Sequence, residues 1–120
     1  MAKENSIVYN RVFDFSVRIV KLYKYLCDEK REYDLAKQIL SSGTSIAANI
    51  REGIEGQSRR DFIAKLSISL KEAAETEYWL ELFNATEVLE EKFTDSMLED
   101  VKTLIKMLNN ILKTTKQSMK

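Results

Sequence analysis

Proline is absent from this 120-residue chain, and glycine occurs only three times, at Gly43, Gly53 and Gly56. A helix interior rejects proline by about 3 kcal/mol and glycine by about 1 kcal/mol. This depletion is therefore what an all-α chain should show. Histidine is missing altogether. Its absence removes Ser–His and Cys–His nucleophilic pairs. It also removes the Glu-x-x-His motifs from which helical bundles build di-iron sites. Cys27 stands alone, so there is no internal disulfide and no zinc site of cysteine and histidine. A lone cysteine near a helix end reads as a small packing residue in a reducing, cytoplasmic setting.

Net charge is missing as well, since 19 basic residues meet 19 acidic ones. No bulk field then draws the chain to nucleic acid or anionic lipid. No apolar run approaches the ~20 residues of a membrane span. The first residues, MAKENSIVYN, lack the basic-then-apolar layout of a signal peptide. There is no glycine-rich phosphate loop. The expectation is a cytoplasmic single domain over residues 1–120, with no catalytic residues, cofactor, metal or membrane partner.

What remains is helical periodicity. Val8, Val12, Phe15, Ile19, Leu22 and Leu26 recur at alternating steps of four and three, predicting a helix over about 6–28. Leu35, Ile39, Ser42, Ile46 and Ile50 predict a second over about 33–52, kept slim by Ala36, Gly43, Ala47 and Ala48. Gly43 in that interior implies a neighbour too close for a larger side chain; a local break at 41–43 is the alternative. Gly53 is placed for a left-handed C-cap. Ser58 and Asp61 form an S-x-x-D capping signal opening a third helix to about 87, carrying Phe62, Leu66, Leu70, Ala73, Leu80 and Phe83. Met97, Val101, Leu104, Leu108 and Ile111 predict a fourth over about 94–116. Short links make sequential helices antiparallel neighbours. The fold class expected is an all-α, up-down-up-down four-helix bundle.

The apolar residues outnumber one core stripe per helix. Phe13, Val17 and Val20 form a second row on the first helix, and Leu98, Ile105 and Leu112 on the last. On the third, Ile68, Tyr78, Trp79 and Leu82 fall off the main stripe. These rows either widen the core or form a subunit interface, with Phe13, Val17, Trp79, Leu98, Ile105 and Leu112 the candidates. Charge is segregated along the chain. Lys102, Lys106, Lys113, Lys116 and Lys120 repeat on one face of the last helix, and Arg11, Arg18, Lys21 and Lys24 add to it from the first. Residues 72–100 hold ten carboxylates against Lys92 alone. Three readings follow: a solvated surface, an acidic patch meeting a basic patch on a second copy, or a nucleic-acid stripe of Arg11, Arg18, Lys21, Lys102, Lys106, Lys113 and Lys116.

Three segments, SGTSIAANIREG (42–53), QSRRDFIAKL (57–66) and LKEAAETEYWLEL (70–82), resemble the bacterial four-helix-bundle family called 23S rRNA intervening-sequence protein, or ribosomal-protein-like. The resemblance implies a closed left-handed bundle that assembles into homopentameric rings. It also implies a reading frame carried within ribosomal RNA insertions. A related bundle accompanying diversity-generating retroelements uses a strongly basic surface on nucleic acid, which this neutral chain carries over poorly. The resemblance supplies no catalytic residues. Two loops depart from the pattern: CDEKREY lacks the usual proline, and Ile54-Glu55-Gly56 is richer in glycine.

Within these segments Asn49, Arg51, Glu52, Glu75 and Glu77 are the polar groups of interest. Glu77 lies between Ala73 and Leu80 at helical spacing, where a buried carboxylate needs a partner. The expectation is that Arg51 or Asn49 supplies it and locks the second helix to the third. The function expected is a non-enzymatic, self-assembling bundle, a homopentameric scaffold or binding module with ribosomal RNA association. The alternative is an RNA- or DNA-binding protein using the lysine stripe.

Overall fold

The computed structural model describes residues 3–118. Four helices follow one another: α1 (Lys3–Asp28), α2 (Tyr33–Ile54), α3 (Arg59–Ala85) and α4 (Glu91–Gln117). No strand occurs among the described residues. Helices of this length at about 1.5 Å per residue reach roughly 40 Å, and the molecule is a rod of 48 × 20 × 20 Å. Cross-helix partners show neighbours running antiparallel. Tyr9 meets Arg51 and Ile19 meets Gly43 between α1 and α2. Ser42 meets Thr76 and Glu52 meets Lys65 between α2 and α3. Arg59 reaches Ser118 between α3 and α4. This is the expected all-α bundle.

The core stripe of α1 is the one the spacing predicts, whereas Leu35, Phe62, Leu70 and Ile111 of the other expected stripes are only half-buried. Val8, Val12, Phe15, Ile19, Leu22 and Leu26 are buried on α1, and Met97, Val101, Leu104 and Leu108 on α4. Ile39, Ile46 and Ile50 of α2 meet Leu66, Ala73, Leu80 and Phe83 of α3 in the same cluster. The second row of α4, Leu98, Ile105 and Leu112, packs half-buried against this core. There it widens the core face. The seam between α1 and α4 is much the loosest of the four helix contacts.

Gly43 is where the bundle is tightest. A Cβ built there would lie 2.7 Å from Ile19 Cδ1 and Cγ1 and 2.8 Å from Cγ2. The helix is continuous through it. Gly53 departs from expectation. It is buried inside α2, and no glycine has positive φ. Its role is close approach: a Cβ would stand 3.1 Å from Lys65 Cβ and 3.2 Å from Phe62 Cδ1 on α3. The helix instead runs on to a C-cap at Glu55.

The residues that turn the chain through positive φ are charged. Arg31 (φ 54°) sits between α1 and α2, and Glu87 (φ 59°) follows α3. After α3, Val88 N–H donates to Phe83 O at 3.0 Å and Glu87 N–H to Asn84 O at 3.2 Å. That pair of bonds is a Schellman motif with Glu87 in the left-handed position. At the start of α3 the sequence signal holds, since Ser58 Oγ accepts from Asp61 N–H at 3.1 Å. α4 begins at Glu91, three residues before expectation, with no side-chain cap.

Candidate interaction surfaces

The outer row of α1 is an apolar feature left uncovered. Phe13 is 50 % exposed, Val17 40 % and Val20 37 %. Val17 stands two residues from both Phe15 and Ile19, about 200° round the helix, so it points away from the core that buries them. This row cannot be an extension of the core stripe. On α3, Ile68 and Tyr78 are exposed in the same degree. Trp79 is half-buried against the core and meets Tyr78 edge-on at 5.0 Å. Its indole N–H is buried without a partner.

The polar lock between α2 and α3 differs from the one expected. Arg51 Nε donates to Glu55 Oε1 at 3.3 Å, and its Nη1 lies 3.5 Å from the Tyr9 hydroxyl on α1. Asn49 Nδ2 donates back to Ser45 O at 2.8 Å. Neither reaches Glu77, which is half-buried and makes no ion pair among the described residues. The reason is rotational: Arg51 sits on the shoulder of α2 that faces α1. The lock is made of hydroxyls. Thr76 Oγ1 lies 3.0 Å from Ser42 Oγ and 2.8 Å from Glu72 O, and Ser69 Oγ donates to Ile46 O at 2.8 Å. Ser42, Ser69 and Thr76 are all buried. The sequence signal is Ser42 in the α2 stripe, facing Ser69 and Thr76 of α3, beside the more conspicuous charge of Glu77. At the exposed edge, Lys65 Nζ pairs with Glu52 Oε1 at 3.3 Å. Glu72 is pushed above its usual range, first by burial and then by Glu75, against a smaller opposing effect of Lys71.

The basic residues do not form one stripe. Arg18 pairs with Asp100 across the α1–α4 seam, with Nη2 3.2 Å from Ser96 Oγ and its guanidinium 5.7 Å from the Phe93 ring centre. Arg11 and Arg18 face Glu99 and Asp100 along a groove that also holds Asp14. The α1-facing shoulder of α4 is thus acidic. Lys102 lies two residues beyond Asp100, about 160° away round the helix, so the lysine row faces away from Asp100 and borders Glu99, about 20° from Lys106. Lys102, Lys106, Lys113 and Lys116 are exposed and make no ion pair among the described residues. Lys120 lies outside those residues.

Above the groove, the α1–α4 seam opens into a cleft of about 360 Å³ lined by Arg18, Lys21, Leu22, Tyr25, Leu89, Glu90 and Phe93. Cys27, free and half-buried on α1, does not line it. No group of three or more metal-ligating side chains occurs among the described residues, and no helix is long and apolar enough to cross a membrane.

These features define an all-α bundle whose first helix presents an uncovered apolar face and whose last presents unpaired lysines. The chain belongs to the 23S rRNA-intervening sequence protein family, whose sequence model matches residues 4–110. It is similar to a crystal structure from Bacteroides thetaiotaomicron VPI-5482, described as a protein with unknown function from the S23 ribosomal protein family. The two are 50 % identical, with a TM-score of 0.89, over 92 % of this chain and 98 % of that one. No protein of curated function matches it.

Proposed function

We propose that the protein is a non-enzymatic subunit that assembles with copies of itself into a closed homopentameric ring, a cytoplasmic scaffold or binding module. The observation that carries this reading is the outward row of α1, with Phe13, Val17 and Val20 exposed on the side opposite the core. Side chains of that size lose ~25 cal/mol of stabilisation for each Å² of apolar surface left in water, so a covering partner is favoured. Ile68 and Tyr78 are exposed on a different helix. Two unlike patches on one subunit suit a head-to-tail contact, which closes into a ring when the rotation allows. Sedimentation velocity tests this. Val17→Glu should dissociate the particle while leaving the helical circular dichroism intact. Unchanged sedimentation would refute the assignment of that face.

The family's name links it to 23S ribosomal RNA, and the unpaired row Lys102, Lys106, Lys113 and Lys116 favours a second reading, RNA or DNA binding by α4. Arg11, Arg18 and Lys21 are not part of that surface, since they border the acidic shoulder or the cleft. Binding through four phosphates predicts a log–log salt slope of about −3.6 on duplex DNA. A gel shift that stays negative at about 50 mM salt removes this reading.

A further inference from the structure

We propose that the cleft between the end of α1 and the start of α4 is a binding site for a small planar aromatic monoanion. It exists because α1 and α4 pack less closely than the other helix neighbours. Its volume, about 360 Å³, lies within the range that encloses small ligands, roughly 300–1,000 Å³. Leu22 and Leu89 are buried and form an apolar base, while the rings of Tyr25 and Phe93 line the same space 41 % and 37 % exposed. Two part-exposed aromatic rings on one cleft, each with a cation near one side (Arg18 5.7 Å from the Phe93 ring centre, Lys30 6.0 Å from that of Tyr25), are suited to stacking a flat ring system.

The charge around it favours an anion. Arg18 and Lys21 line the cleft with Glu90, and because Asp100 pairs with Arg18, Lys21 is the cation left to meet an anion. Asp100 and Ser96 hold the Arg18 guanidinium in place. They engage only two of its five N–H donors. Lys21 makes no ion pair among the described residues. The first turn of α4 opens here too, and its N-cap, Glu90, contributes no side-chain bond. The first-turn amides there add positive potential, offset in part by the carboxylates of Glu90 and Glu91. The site is distinct from the assembly face, because none of Phe13, Val17 and Val20 lines it.

Equilibrium dialysis with naphthalene-2-carboxylate, and with the neutral 2-naphthalenemethanol as comparison, tests the assignment whatever the assembly state. The carboxylate should bind at one site per chain with a dissociation constant of about 1 mM or tighter. Lys21→Glu should weaken it about tenfold or more. Phe93→Ala should abolish binding, and Phe13→Ala should leave it unchanged. Circular dichroism checks that each variant is helical. Three results each overturn the proposal: no binding at 5 mM probe, equal affinity for the neutral alcohol, or loss of binding in Phe13→Ala but not in Phe93→Ala.

Discussion

Gly43→Ala should destabilise the bundle, although the substitution favours helix by itself. Replacing an interior glycine with alanine gains about 1 kcal/mol of helix propensity. The new methyl would fall 2.7–2.8 Å from three atoms of Ile19. Ile19 is completely buried and has no solvent side to swing into, so α1 and α2 must move apart. Overpacking of this kind costs about 1–3 kcal/mol, leaving a net loss of about 1 kcal/mol. For a chain of this length the melting temperature should fall by about 4 °C. Urea denaturation at one fixed protein concentration reads the change directly, since assembly makes stability depend on concentration. Ile19→Ala alone should cost about 2–5 kcal/mol as a cavity. In the double variant the new methyl occupies part of that cavity, so the losses should fall short of additivity by about 1 kcal/mol or more. A stabilised Gly43→Ala, or strictly additive losses, would show that the close approach of the two helices is not what holds Gly43 there.

Glu87→Gly should raise stability by about 1 kcal/mol in a thermal melt, because the left-handed backbone at φ 59° costs a side chain about 1–2 kcal/mol and glycine nothing, less the chain entropy that glycine adds. Thr76→Val keeps the shape but leaves the buried Ser42 hydroxyl without its partner. It should lose about 1–2 kcal/mol in urea denaturation, whereas Glu77→Leu should leave stability within about 0.5 kcal/mol because the side chain makes no ion pair. Glu72 binds its proton more tightly folded than unfolded, so its protonated form stabilises the fold at low pH. That contribution is lost as pH rises from the ordinary value of 4.5 through the raised one. Glu72→Gln should therefore raise the melting temperature at pH 7, with the gain shrinking toward pH 4.

The core was most legible on α1 and α4, where an apolar stripe repeats without interruption, and every α1 stripe residue from Val8 to Leu26 is buried. The Ser58 cap was legible because its chemistry is local. Both turns at Arg31 and Glu87 were hidden, since neither is glycine or asparagine and their positive φ is imposed by the helices they join. Gly53 misled for the opposite reason: its residue type suggested a turn, while α3 packing on it decided its place. The polar lock required knowing which shoulder of α2 faces which neighbour. Periodicity fixes the core face but leaves left and right undetermined, so Arg51 was assigned to α3 and in fact faces α1. The split of the basic residues has the same origin, because Arg18 and Lys102 lie on neighbouring helices yet on different sides of α4.

Native mass measurement of the unmodified protein at about 10 µM addresses the uncovered face of α1 most directly. A particle of five chains, reduced to single chains by Val17→Glu, is the outcome expected. Single chains in the unmodified protein would mean that Phe13, Val17 and Val20 face water in the working molecule, and the assembly reading would be wrong.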